Sequence, residues 1–245
     1  MKSTGPTLAR PRKGAEVEYQ EFLKLVQQRR SIRAFTADPV SDEMVDQVIE
    51  AGRWAPSGTN TQPWEFVVVR DQEMKDRLAG FVKAVMYLAH EVELTRPEDL
   101  QWPSAARPVS DPGWKDAPVL IVVCGDQRTK KSYPLFAQLT RRDSIFASSL
   151  ASAFLYMVLA AKSLGLGSHW ASATSHPLVM PLIMEALGIP DDFFIYDTMA
   201  LGHPAIQPKP RVVRAREDMT HHERYDQAKY RTDAQIREFI VSLRK

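Results

Sequence analysis

The longest apolar stretch of the chain runs from Ile145 to Ala161. It contains Ser148, Ser149 and Ser152, is flanked by Arg141, Arg142 and Asp143, and falls short of the ~20 residues a bilayer span needs. It therefore predicts a buried core helix over Asp143 to Leu164, with Gly165 as the residue just past its end. The rest of the chain has to pack around that helix. A chain of 245 residues that is 44% hydrophobic and 25% charged has the composition of a globular protein able to bury such a core.

Helical apolar spacing predicts further helices over 16–30, from an N-cap at Ser41 to Gly52, over 72–89, over 178–187 and near 233–243. Strands are expected over 66–69, 119–123, 168–171 and 193–201. The run Val119 to Val123 is apolar throughout, as in a strand buried on both faces. Thr95 to Pro118, with Trp102 and Trp114, reads as a long loop of the kind that forms a lid. This alternation gives an α/β or α+β domain. Residues 1–15 are basic, carry Pro and Gly, lack an apolar signal core and read as a flexible arm. Residues 16–245 read as one domain whose polar end, from Lys209 onward, forms a C-terminal extension.

Several function classes are excluded at this level. A net charge of +2 argues for neither nucleic acid nor an acidic membrane surface. A lone Cys124 and six scattered histidines supply no metal-ligand spacing. The lack of disulfide pairs fits a cytoplasmic, reducing location. Neither a G-x-S-x-G elbow nor a Walker loop occurs, and no acid–base dyad stands out.

Four clusters remain. Arg29-Arg30-Ser31-Ile32-Arg33 gathers cations that suit a phosphate, or that complement a helix dipole. Ala55-Pro56-Ser57-Gly58-Thr59-Asn60-Thr61-Gln62-Pro63-Trp64 is a donor-rich turn, either an ordinary polar loop or the edge of a planar heterocycle's site. Leu164-Gly165-Leu166-Gly167-Ser168-His169-Trp170 lacks the third glycine and preceding strand of a dinucleotide fingerprint, and more simply marks a tight helix-to-strand turn. Gly202-His203-Pro204 followed by Lys209-Pro210-Arg211 adds cations after a strand.

In this order, the four clusters resemble the FMN-dependent nitroreductase family, over residues 20–211. The resemblance implies an α+β fold with a mixed, mainly antiparallel sheet flanked by helices, in an intertwined homodimer with flavin sites at the interface. It implies FMN as cofactor and NAD(P)H as transient electron donor. Arg29, Lys209 and Arg211 would clamp the phosphate, Ser31 the phosphate–ribityl end, with Arg30 lining it and Arg33 beside flavin N1 and O2. Pro56, Ser57, Gly58 and Asn60 would come from the other subunit. Ser168, His169 and Trp170 would border the ring near N5, where two bulky side chains would narrow the acceptor pocket. The implied activity is ping-pong reduction of nitroaromatics, quinones or similar small electron-poor acceptors, with the flavin carrying the chemistry and no catalytic side chain.

Two alternatives accompany that reading. One is a specialised flavin enzyme, a reductive dehalogenase or ring oxidase; the other is a non-catalytic flavin-binding module. The iodotyrosine deiodinase branch shares the Pro-Ser-Gly turn but adds a lid Glu, a Tyr four residues later, and a Lys. Neither Glu91 nor Glu93 has that Tyr, and only Lys115 stands where the Lys would, so dehalogenation ranks below generic reduction.

Overall fold

The structure, a computed structural model, describes residues 18–208 and 211–243. The arm expected over 1–15 and the phosphate ligand expected at Lys209 lie outside the described residues.

Four strands, β1 (Trp64–Val69), β2 (Val119–Asp126), β3 (Gly167–Ala171) and β4 (Phe193–Gly202), form one sheet in the order β1-β2-β4-β3. Every pairing between them is antiparallel. The parallel element is a single bridge, Ser31 to Ser168, outside the named strands. Strand β2 is buried along Val119–Gly125, as its unbroken apolar sequence requires. Alternation splits it between two cores. Val119, Ile121 and Val123 face one core, and Leu120, Val122 and Cys124 face the other.

The first core is built on α2 (Asp42–Arg53) and α5 (Arg142–Ser163). Ser41 caps α2 through its hydroxyl, which accepts the Met44 N–H at 3.2 Å. Helix α5 sends Phe146, Leu150, Phe154 and Met157 into this core. By length and composition α5 would suffice to cross a membrane, yet its buried side chains make it a core helix. Gly165 follows it with φ of 77°, the left-handed conformation expected just past a helix end.

The second core lies against α3 (Gln72–Leu94) and α6 (Met180–Leu187), through Leu78, Val82 and Ile183. Two elements depart from expectation. Helix α3 runs five residues further than its apolar spacing suggests, to Leu94. A short helix, α4 (Leu135–Thr140), precedes α5 and leaves Leu135, Phe136 and Leu139 70–79% exposed.

The segment expected to be a free lid is only partly free. Its second half is fastened to α3: Lys83 and Lys115 both pair with Asp111, at 2.8 and 3.1 Å. Buried Lys75 donates to the Ala117 carbonyl at 2.7 Å, and burial holds its pKa below the ordinary lysine value. Trp114 is 3% exposed inside the second core, whereas Trp102 is 55% exposed. At the other end, the Glu93 carboxylate accepts the Trp102 backbone N–H at 2.9 Å. Helix α7 (Asp233–Ser242), opened by a Thr232–Gln235 capping box, reaches back to this region, with Arg237 on Asp99 at 2.6 Å. Trp114→Ala should thus cost about 3–5 kcal/mol, the usual penalty for truncating a buried aromatic. Trp102→Ala should cost under about 1 kcal/mol. Urea unfolding of the two variants measures the contrast, and equal losses would contradict this division of the segment.

Candidate functional site

The chain leaves α1 (Tyr19–Gln28) at Arg29, which is already extended. Residues 31–36 then thread between β3 and the chain that follows β4. Ile32 N–H donates to the Ser168 carbonyl at 2.9 Å, Thr36 N–H to that of His203 at 2.9 Å, and Ala205 N–H to that of Ala34 at 3.0 Å. This stitching gathers three of the four sequence clusters. Between α1, the end of α5, the start of β3 and the segment after β4 lies a cleft of about 1050 Å³. Arg29, Arg30, Lys162 and Arg211 line it, together with Gly165 and Ser168, and no carboxylate lies among its described lining residues.

Electrostatics agree with the geometry. Burial, then the positive charges of Arg211 and Arg30, hold the Arg29 guanidinium below its ordinary pKa. Among the described residues, no ion pair involves Arg29, Lys162 or Arg211. Arg29, Lys162 and Arg211, gathered without an ion pair among the described residues, repel one another, and an anion in the cleft would relieve that repulsion. Guanidinium forks match phosphate oxygens in pairs, so a phosphate monoester fits this donor set.

Past Ser168, strand alternation sends neighbouring side chains to opposite faces. Trp170 goes to the α5 side. Its ring stacks on Phe154 with centroids 4.0 Å apart, and its indole N–H is donated to Asp197. Asp197 reaches that position because Tyr196 is an extra residue in β4: Val123 pairs with Asp197 and Cys124 with Ile195. Such a bulge puts consecutive side chains on one face, and Tyr196 also packs edge-on against Trp170 at 6.1 Å. Asp197 further accepts the Ser175 hydroxyl at 3.0 Å, while burial pushes its own pKa up. Trp170 is therefore tied into the core to a degree that its sequence does not reveal.

His169 goes to the other face. Its Nδ1 is buried and has no partner. Burial, and then the charge of Arg33, lower its pKa from 6.5 to about 4, so the ring is neutral at neutral pH. Ser31 and Arg33 are exposed.

The remaining cluster is elsewhere. The turn Pro56 to Asn60 sits against the start of α5. Gly58 N–H donates to the Ser149 hydroxyl at 3.1 Å, and the Ser57 hydroxyl accepts Gln62 N–H at 3.0 Å. A Cβ on Gly58 would stand 2.2 Å from Ile145 Cγ2, so only glycine seats the turn this deeply. Thr59, Asn60 and Gln62 have φ of 51°, 55° and 46°, a run of non-glycine left-handed residues that stores strain. Thr61 Oγ1 and Tyr133 OH are buried without partners. At 1.5 Å per residue, Ile145 at the start of α5 and Lys162 in its last turn are about 25 Å apart along the helix. One copy of the chain does not bring this turn to the cationic cleft.

Sequence reading missed Lys162 and Asp197. A lysine in the last turn of a helix is the ordinary complement of the helix dipole, and Asp197 becomes informative only once the bulge turns it inward. Other candidates fall away: burial pushes the Cys124 thiol up to about 12, which makes it inert. No group of three or more His, Cys, Asp or Glu suited to a metal occurs among the described residues.

The His169 shift has a signed consequence. Between pH 6.5 and 4 the unfolded chain takes up a proton that the folded chain refuses, so stability falls as pH drops through this window. The shift corresponds to about 3 kcal/mol across it. His169→Asn should flatten that limb in unfolding free energies of the ligand-free protein. A variant with the wild-type slope would show that His169 is not the group responsible.

The family model described as "Nitroreductase family" matches residues 26–203. A protein of Archaeoglobus fulgidus with the provisional name NADH dehydrogenase/NAD(P)H nitroreductase is 31% identical over 185 residues, covering 76% of this chain and 86% of that one. Rat iodotyrosine deiodinase 1 is 33% identical over 117 residues, only 46% of this chain and 40% of its own length. A solved structure from Desulfovibrio desulfuricans, provisionally a nitroreductase and holding FMN, superposes with a TM-score of 0.59 at 26% identity, covering 83% of this chain and 97% of that one. The stitched cationic cleft, the glycine-seated turn and the antiparallel sheet that carries them thus occur in a chain that belongs to the nitroreductase family.

Proposed function

We propose that this protein is an FMN-dependent NAD(P)H oxidoreductase whose two sites are each completed by a second copy of the chain. The observation that carries this reading is the cleft lined by Arg29, Arg30, Lys162 and Arg211 without one acid. A phosphate monoester supplies the missing charge, about −1.5 to −2 near neutral pH. Arg29 and Arg211, with Lys209 by the family resemblance, would grip that phosphate, and the Ser31 hydroxyl would take its ribityl side. Arg33 would hold positive charge beside N1 and O2, where it favours added electron density. Neutral His169 would border the ring without adding a second charge. Bound FMN supplies the hydride and electron chemistry. The chain's own work is to bind, orient and polarise.

Distance and exposure support the dimer. Pro56, Ser57, Gly58 and Asn60 lie too far along α5 to edge the flavin of their own copy, and a second copy brings them to it. Exposed Leu155 and Tyr156 on α5, and Val212 and Val213 after the cleft, are apolar groups that such a partner would cover. Donor and acceptor, using one open ring face in turn, give ping-pong kinetics. The acceptor is a small electron-poor molecule such as a nitroaromatic or a quinone.

Dehalogenation is the weaker reading. Lys115 is engaged by Asp111 at 3.1 Å and Asp76 at 3.8 Å, and Glu93 by Arg96 at 3.1 Å. Neither is left to hold a zwitterionic amino acid.

The first test is spectroscopic. Protein supplied with FMN should show bound-flavin absorption that bleaches when NADH or NADPH is added without oxygen, and colour should return on adding a nitroaromatic or quinone. An FMN-loaded protein that only dithionite bleaches is instead a flavin-binding module. One that takes up no FMN overturns the cofactor. A mutational test follows: Arg29→Ala should weaken FMN binding by roughly 1.5–3 kcal/mol. In mixed dimers of Arg29→Ala with Asn60→Ala, both defects fall in one site and the other is whole. Such dimers should bind one FMN with wild-type affinity, whereas a site confined to one chain would leave none.

A further inference from the structure

Among the described residues that line the cleft, Lys162 is the one cation that the four motifs do not contain. It lies in the last turn of α5, three residues before Gly165, while Arg29 and Arg30 come from the end of α1 and Arg211 from the segment beyond β4. Three separate pieces of chain thus deliver positive charge to one cavity. Lys162 has no carboxylate partner among the described residues. It is also half-buried, so its charge is not simply dissolved in bulk water.

We propose that Lys162 is a phosphate-recognising residue of this cleft, and that it makes the site demand a flavin bearing a phosphate dianion over one bearing a free ribityl hydroxyl. This rests on the FMN reading above and adds a specificity determinant to it. The ammonium comes to the cleft from α5, while guanidinium forks arrive from α1 and from the segment after β4. Lysine suits that place because it acts as a compact charge on a flexible stem, where the arginines impose planar, paired geometry. A ligand without the phosphate would leave these like charges gathered around a neutral group, with their mutual repulsion unrelieved. The competing account is that Lys162 only complements the C-terminal dipole of α5. That account concerns the folded chain alone and predicts the same effect on every flavin.

The test compares FMN with riboflavin, by fluorescence titration of the cofactor-free protein and of its Lys162→Met and Lys162→Arg variants. Methionine keeps the apolar stem and removes the charge. In Lys162→Met, FMN affinity should fall roughly tenfold or more, the loss expected for one charged hydrogen bond to a phosphate. Riboflavin affinity should stay unchanged, and Lys162→Arg should restore most of the preference. Equal loss for both flavins, or an unchanged FMN-to-riboflavin ratio, would overturn the assignment of Lys162 while leaving FMN as the cofactor. Failure of the wild-type protein to bind FMN would remove both the cofactor and this role.

Discussion

Helix α5 sets the spacing on which the rest of this molecule depends. Its buried face, through Phe154 and Met157, holds the sheet and α2 in one core. Its first turns seat Gly58 through Ile145 and Ser149, and its last turn delivers Lys162 to the cationic cleft. A helix is stiff, so these two ends cannot approach within one chain. The residues proposed for the site are thus distributed as two halves at opposite ends of a rod. In the proposed dimer, a twofold axis would set each half against the complementary half of its neighbour, because an isologous contact repeats every cross-chain pairing twice. The same helix that organises the core would then set the spacing across that contact.

The cleft itself is a case of local cost kept for binding. Nothing in the fold requires Arg29, Arg30 and Arg211 to be neighbours; burial and then the like charges of Arg211 and Arg30 lower the Arg29 pKa and oppose folding. Backbone hydrogen bonds from Ile32, Thr36 and Ala205 hold them there regardless. These bonds do not depend on the side chains' charges, so the arrangement exists before a ligand arrives. A bound anion then stabilises the folded form by mass action, since the unfolded chain offers it no such cradle. The strain at Thr59, Asn60 and Gln62 has the same character: a conformation unfavourable in isolation, held by Ser149, Ser57 and the close seat of Gly58.

Much of this was legible in the sequence because the signals were periodic or local. The apolar run in α5, the Ser41 cap and the unbroken β2 strand predict their own structures. The clusters around Arg29, Gly58, Gly165 and Gly202 mark a family because their spacing is specific. What the sequence concealed depends on contacts between distant segments. The bulge at Tyr196 carries no composition signal, yet it turns Asp197 onto Trp170. Trp114 and Trp102 look alike in the same polar stretch, but only Trp114 finds a core, because Lys83, Lys115 and Lys75 fasten its neighbours to α3. Helix α4 buries only the small Ala137 in the single chain, while Leu135, Phe136 and Leu139 are exposed. Amphipathic spacing could not have found it.

That last point bears on how the two halves meet. Exposed apolar groups are ordinary when scattered, but those of α4 stand immediately before α5, close in sequence to the Tyr133 whose hydroxyl is buried without a partner beside Gly58. The strained turn, the unpaired hydroxyls of Thr61 and Tyr133 and the uncovered α4 face all gather at one end of α5. Arg29, Lys162 and Arg211, without an ion pair among the described residues, gather at the other. Each end is costly alone for a different reason, one through unmet apolar and polar contacts and one through charge. In the proposed holoenzyme a second chain would relieve the first and an anionic cofactor the second. Assembly and cofactor binding would then act on separate deficits of the same fold, and the rigid helix between them is why neither could substitute for the other.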